Sequence, residues 1–236
     1  MPEILVINIA YHATPADLEI FYHEILKPSF DPAELIERSQ LLGALADTKS
    51  ATHYAIAFDQ AGLIVGGIIG GCFDECGVLL ISYLVARREF RGCGIGTRLL
   101  AEVVPAWKAK FAAELVVLEV EDPRFYSADE DHGDPAKRLR LYASLGARIL
   151  RMPYFQPALS AGQPRVPNLF LMVFTADQSV MTETNSVDAA PLRCFWQEYL
   201  GGAEGDVDDR AVRAVRDALA KDAIPLVDPA EYLRKA

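Results

Sequence analysis

The 236-residue sequence has no apolar run long enough to cross a membrane. Its longest nearly apolar stretch, Gly62 to Phe73, contains five glycines, so no membrane span is expected. Cysteine is scarce: Cys72, Cys76, Cys93 and Cys194 do not read as the disulfide framework of a small secreted domain. Glu3 precedes the first apolar run with no basic segment, so no signal peptide is expected and the cytoplasm is the simplest compartment. Basic residues are outnumbered, 23 Lys+Arg against 33 Asp+Glu, for a formal charge of −10. A surface of that sign repels phosphate backbones, which argues against nucleic-acid partners, and it suits cationic substrates. Repeats and low-complexity segments are also lacking. Core-forming residues are plentiful, with 51% hydrophobic against 24% charged. That balance excludes disorder and suits one large domain with an added terminal element.

Along the chain, the β-branched run Glu3 to Ala10 predicts a first strand. Pro15-Ala16-Asp17 opens a helix with Leu18, Phe21, Tyr22 and Ile25 at helical spacing. Asp31-Pro32 signals a second helix running to about Ala46. Thr52 to Phe58, Leu63 to Phe73 and Val78 to Val85 read as an antiparallel meander, punctuated by the turns Asp59–Gly62 and Asp74–Gly77. The third of these strands is almost wholly apolar, as in a central strand covered on both faces. A helix follows Gly96, then a strand at Leu115 to Val120, a polar stretch from Glu121 to Asp134, and a helix from Pro135 that Gly146 ends. Ala147 to Met152 and Asn168 to Phe174 read as the last strands. After Thr175 the strand pattern does not resume; Leu192 to Leu200 and Val207 to Ala220 read as helices. The expectation is an α/β (α+β) domain over residues 1–175, with 176–236 a helical extension packed on it. That extension is also a candidate surface for a homodimer.

The most informative stretch is Leu84 to Leu100, a strand followed by a basic turn, a glycine-rich loop and a helix start. Glycines let backbone N–H groups approach a pyrophosphate, and a helix N-terminus adds about half a positive charge. Arg87, Arg88, Arg91 and Arg98 concentrate basic charge in an otherwise acidic chain. The plain alternative is a tight turn capping a helix. A dinucleotide fingerprint begun at Gly92 would need its third glycine at Thr97, and a phosphate loop would need a Gly-Lys pair that does not follow. The spacing that fits is Arg-x-x-Gly-x-Gly, from Arg91 through Gly94 to Gly96.

That spacing resembles the acyl-coenzyme A loop of the GNAT superfamily of N-acetyltransferases. Two further matches follow in the family's order: Leu118-Glu119-Val120 and the run Leu141-Tyr142-Ala143-Ser144-Leu145-Gly146-Ala147. The resemblance spans about Val78 to Phe174. It departs from the family at Ala147, where an aromatic is usual, and after Val120, where the usual Asn is absent and about a dozen residues are inserted.

The resemblance implies a mixed, mostly antiparallel central sheet flanked by helices, and acetyl transfer from acetyl-CoA straight to an amine. It implies that the backbone of Leu84 and Val85 pairs with the pantetheine arm. Arg91, Gly92, Cys93, Gly94, Ile95, Gly96 and Thr97 would hold the pyrophosphate. An amine with a pKa of about 10 is protonated at neutral pH and must lose a proton before it attacks. Glu119 matches the family's base position, and Glu121 shares its strand face by alternation; which of the two serves stays open. Tyr142 matches the acid position. Each also has a plainer reading, a solvated strand-end carboxylate for the glutamates and a packed helix residue for the tyrosine. Cys72 and Cys76 have CxxxC spacing but no second ligand pair, so no metal is expected. His12, His23 and His53 read as surface or core histidines. His132 is a lesser candidate for proton transfer. The acidic insertion, with Phe125, Tyr126 and His132 in it, reads either as a substrate-side lid or as a solvated loop. The alternative function is a non-catalytic acetyl-CoA-binding sensor or partner module, and a dinucleotide oxidoreductase is disfavoured by the loop spacing.

Overall fold

The computed structural model describes residues 6–129, 131–160, 162–182 and 185–233. The chain runs β1 (Asn8–Ala10), α1 (Pro15–Ile20), α2 (Arg38–Ala46), β2 (Thr52–Phe58), β3 (Ile64–Phe73), β4 (Val78–Ala86), α3 (Ile95–Lys110) and β5 (Leu115–Glu121). It continues through α4 (Pro135–Ser144), β6 (Arg148–Leu150), β7 (Leu169–Ala176), β8 (Met181–Thr182), β9 (Ser186–Asp188), α5 (Ala189–Glu204), α6 (Arg210–Leu219), β10 (Ala223–Val227) and α7 (Ala230–Leu233). A π-helical turn, Phe21–Leu26, prolongs α1.

All the strands join one sheet in the order β1-β2-β3-β4-β5-β7-β6-β10-β9-β8. Its neighbours are antiparallel except β4 and β5, which the α3 crossover makes parallel. The β4–β5 ladder runs only from Val78↔Leu115 to Ile81↔Leu118. Beyond it β4 stays paired with β3 as far as Ala86, and β5 with β7 as far as Glu121. The two halves of the sheet therefore part as a wedge. A register shift in the β3–β4 ladder leaves Ser82 as an extra residue where the parting begins, and a bulge of this kind bends and twists its strand.

Alternation along β4 and β5 divides the core. Leu79, Ile81, Val116 and Leu118 pack under α3 with Leu99, Val103, Val104 and Trp107. On the opposite face, Phe21, Ile25 and Leu26 cover Ile69, Tyr83 and Val85. Beside them Leu192, Phe195, Trp196, Val212 and Val215 cover Val78, Leu80, Leu115 and Val117. The glycines of β3 permit this close layering. A Cβ at Gly67 would lie 2.6 Å from the Phe21 ring, and one at Gly70 would lie 2.9 Å from Trp107.

Several expectations are corrected. The first strand is only Asn8–Ala10, and residues 3–5 of the predicted run lie outside the described residues. The Asp31-Pro32 start signal is satisfied by a single turn, in which Asp31 Oδ1 accepts from Ala33 N at 2.8 Å; α2 begins at Arg38. Strands do resume after Thr175. β8 and β9 are too short to show alternation, and Pro225 interrupts β10, where it breaks the usual strand signal. The C-terminal segment is thus part of the sheet as well as a helical cover. Phe195 is fully buried at its centre, so Phe195→Ala should cost about 3–5 kcal/mol of stability, read by urea unfolding.

Cys76 and Cys194 form a disulfide, joining the turn before β4 to α5 across 118 residues. The four cysteines do not read as a disulfide framework in sequence, and this single bond is not foreseen there because pairing across the fold leaves no trace in spacing. Cys72 is buried and Cys93 exposed, both free thiols. Alkylation of the denatured chain should therefore label two cysteines without reduction and four after it, as read by intact mass.

Candidate functional site

The wedge between β4 and β5 opens into a cavity of about 500 Å³. Its walls are the parted strand segments around Ser82–Ala86 and Leu118–Glu121. The glycine loop with the start of α3 closes one end, and α4 forms one flank. Residues before α2 and after β6, among them Phe30, Glu34 and Gln156, reach the same cavity.

The glycine loop takes its shape from Gly92 and Gly94, with φ of +82° and +81°, a region that other residues enter at a cost. Among the described residues, no atom beyond the adjoining residues lies within 4 Å of a Cβ built at either position, so the loop presents bare backbone to open space. Arg91, Gly92, Gly94, Ile95, Gly96 and Thr97 line the cavity, as do Leu84 and Val85. Cys93 is exposed and is not among the lining residues. Of the four arginines singled out by charge, Arg91 alone lines the cavity. Arg87 binds Glu24 at 2.7 Å and the Ile64 carbonyl at 2.8 Å, Arg88 meets Asp131 at 3.2 Å, and Arg98 pairs with Glu102 along α3.

Glu119 and Tyr142 both line the cavity. Glu119 shares the strand face of Leu115 and Val117, under α5, whereas Tyr142 belongs to the α3–α4 side. The wedge is what brings them to one space. Tyr154 donates to Glu119 Oε1 at 2.7 Å, and Gln156 Nε2 to Oε2 at 3.4 Å. Desolvation pushes the Glu119 carboxyl up to about 7, against hydrogen bonding from Tyr154, Tyr199 and Gln156, which favours its anion. Burial pushes the Tyr142 phenol up to about 12. Among the described residues no hydrogen-bond partner is found for the Tyr142 hydroxyl. Near neutral pH the pair is a half-titrated carboxyl and a protonated phenol, suited to accept and donate one proton respectively.

Glu121 is placed differently. Its carboxylate is held by the Arg138 guanidinium, which also donates to the His132 carbonyl. Of the two strand carboxylates, Glu119 is the one left to titrate against a ligand. His132 sits at the cavity rim with Nδ1 3.0 Å from Asp129 Oδ2.

The acidic insertion is less free than its composition suggests. Asp122 is buried against Arg124, and Asp129 accepts from the backbone of Asp131 and His132. Asp131 pairs with Arg88, while its carbonyl accepts from Arg91 at 2.7 Å. Asp134 caps α4 through Ala136 N at 2.9 Å. Tyr126 donates to the Pro167 carbonyl at 2.6 Å. These carboxylates have partners within the chain, and the insertion is fastened to the glycine loop through Arg88 and Arg91. Glu130 lies outside the described residues.

Sequence reasoning missed Tyr154, Gln156, Tyr199, Glu34 and Arg138. Only Arg138 carried a local signal, one helical turn before Tyr142. Among the described residues no cluster of three or more His, Cys, Asp or Glu is arranged to hold a metal ion, and no helix is long and apolar enough to cross a membrane.

A family model described as an acetyltransferase (GNAT) domain matches residues 50–146. A search of curated proteins gave no match. Among solved structures, a GNAT-family acetyltransferase from Bacteroides thetaiotaomicron is 24% identical, covering 70% of this chain and 85% of its own, with a TM-score of 0.51. An acetyltransferase from Acinetobacter baylyi ADP1 is 13% identical over 71% of this chain and 93% of its own, TM-score 0.51. The ribosomal-protein-S18-alanine N-acetyltransferase of Escherichia coli is 13% identical over 73% and 96%, TM-score 0.50. These likenesses show a shared fold. The matched segment runs from the edge of β2 through the wedge and the glycine loop to the end of α4, and over that segment the chain is similar to a GNAT acetyltransferase domain.

Proposed function

We propose that the protein moves an acetyl group from acetyl-CoA directly to an amine, with Glu119 as the base and Tyr142 as the acid. The observation that carries the reading is that these two side chains enter one cavity from opposite faces of a sheet parted at Ile81 and Leu118. The residues present suit the acyl donor. Among the described residues the β4 edge from Ser82 to Ala86 has no strand on its β5 side, so main-chain groups at Leu84 and Val85 are open to an amide-bearing arm. The uncrowded Gly92 and Gly94 turn backbone towards the start of α3, a helix of 16 residues, where a pyrophosphate is favoured. Acetyl-CoA supplies an activated thioester.

The chain's own residues do the rest. Glu119 takes a proton from the ammonium. The amine nitrogen bonds to the acetyl carbon as the carbon–sulfur bond breaks, and Tyr142 gives its proton to the departing thiolate. The acylated nitrogen gives its remaining surplus proton through solvent to the Tyr142 phenolate, and Glu119 releases its own proton to bulk water, so the products are an N-acetyl amine, free coenzyme A and one proton. Release of free thiol from acetyl-CoA, screened over many amines, tests the reaction; no amine-dependent thiol release from any acceptor would refute it.

Gly94→Asp tests where the donor sits. The substitution puts a carboxylate into the space beside the helix start, in a backbone conformation that disfavours it. Acetyl-CoA affinity by calorimetry should fall at least about tenfold, the effect of losing one charge-assisted contact or adding a like charge. Circular dichroism should confirm an intact fold. Unaltered binding in a folded variant would remove the pyrophosphate assignment.

A further inference from the structure

The end of the cavity on the Glu119 face offers hydrogen-bond acceptors to a ligand. Gln156 is only 7% exposed and lines the cavity. Its Nε2 faces Glu119, and its Oε1 has no partner among the described residues. Glu34 lines the same cavity, half-buried, and its carboxylate has no hydrogen bond or ion pair among the described residues. The Glu34 main chain is fixed, because its carbonyl accepts from the Tyr83 hydroxyl at 3.0 Å, and that hydroxyl accepts from Ile36 N at 3.0 Å. The neighbouring cation, Arg138, is already held by Glu121 and the His132 carbonyl. A buried amide oxygen without a donor is costly to leave unpaired, so this end is complete only when a ligand brings N–H groups to it.

The segments that carry these groups are tied together. Gln163, from the segment after β6, donates through Nε2 to the Pro32 carbonyl at 3.0 Å and the Leu35 carbonyl at 3.3 Å. The two segments that bring Gln156 and Glu34 to the cavity are thereby stapled to each other. Phe30, Tyr83 and Leu169 give the space between them apolar walls.

We propose that the acceptor is a small amine carrying a second cationic nitrogen a few carbons away, rather than an amine of a polypeptide. The reacting nitrogen sits at Glu119, and the second donates to Glu34 and Gln156 Oε1. This assignment rests on the acetyl-transfer reading for the chemistry, but its recognition element can be tested without turnover.

The experiment compares 1,4-diaminobutane, 1-aminobutane and a hexapeptide with a free N-terminus and one lysine, in wild type and Glu34→Gln. Two readouts are used: thiol release from acetyl-CoA, and calorimetric binding to the protein saturated with free coenzyme A. The diamine should exceed the monoamine in kcat/KM by about tenfold or more, the scale of one charge-assisted hydrogen bond. Glu34→Gln should shrink that ratio towards unity. A merely structural role for Glu34 would lower both amines alike and leave the ratio unchanged. Equal use of diamine and monoamine by wild type, preference for the peptide, or an unchanged ratio in the variant would each overturn the proposal. Glu34-dependent diamine binding without thiol release would uphold it and instead sink the transfer reading. Absence of both binding and turnover would overturn both.

Discussion

Tyr142→Phe should lower kcat by about 10²–10⁴-fold, the usual contribution of a positioned general acid. The magnitude would be smaller only where water reaches the sulfur. Tyr142 lies on α4 within the α3–α4 side of the core, packed near Leu139 and Ile149, and a phenylalanine fits the same volume. Stability and acetyl-CoA affinity should therefore stay close to wild type, the latter within about twofold. Burial holds the phenol at about 12, so the wild-type enzyme should show no loss of acid function at any pH below about 10. Single-turnover kinetics separate this step from product release. An unaltered rate of the chemical step in Tyr142→Phe would show that a solvent proton serves the thiolate.

The parts legible in the sequence were those whose signal is local. The meander β2–β3–β4 is bounded by turn residues, and β4 is apolar at nearly every position because helices cover both its faces. The glycine loop is read from a six-residue spacing whose physics is confined to one strand–helix junction. Glu119 and Tyr142 stand in short motifs on β5 and α4. The support of the carboxyl is a different case. Tyr154, Gln156 and Tyr199 approach Glu119 from 35, 37 and 80 positions away, and none belongs to a pattern that a periodicity argument detects. Glu34 lies in a turn that the Asp31-Pro32 pair disguised as a helix start. Cys194 is equally remote from Cys76. The three late strands escaped because each is short and one holds a proline; β10 adds to the edge that β6 presents, and β9 and β8 follow it. In each case tertiary context determined what local propensity could not.

The same context explains how one carboxyl comes to titrate near neutrality. Glu119 lies within a strand that is otherwise apolar from Leu115 to Val120, so its charge is disfavoured by lost hydration, while Tyr154 and Gln156 keep the anion within reach. With the carboxyl at about 7, wild-type kcat/KM should rise with pH through a midpoint near that value. In Glu119→Gln this limb should vanish. Near pH 7.5 the variant should be at least about 10²-fold slower, with the deficit closing towards pH 10 as the medium itself supplies free amine. Stability should move the other way. The native carboxyl binds its proton more tightly than the unfolded chain does, so between about pH 4.5 and 7 the native state holds more protons and loses stability as pH rises. Glutamine removes that decline, worth up to about 3 kcal/mol at 1.36 kcal/mol per pKa unit. Above pH 7 the variant should therefore melt no lower than wild type, and higher if its amide is accommodated by Tyr154 and Gln156. Such a variant, slower yet no less stable, would mark Glu119 as a group placed for chemistry at the expense of the fold. If the deficit stayed constant from pH 6 to 10, Glu119 would be positioning the amine rather than deprotonating it.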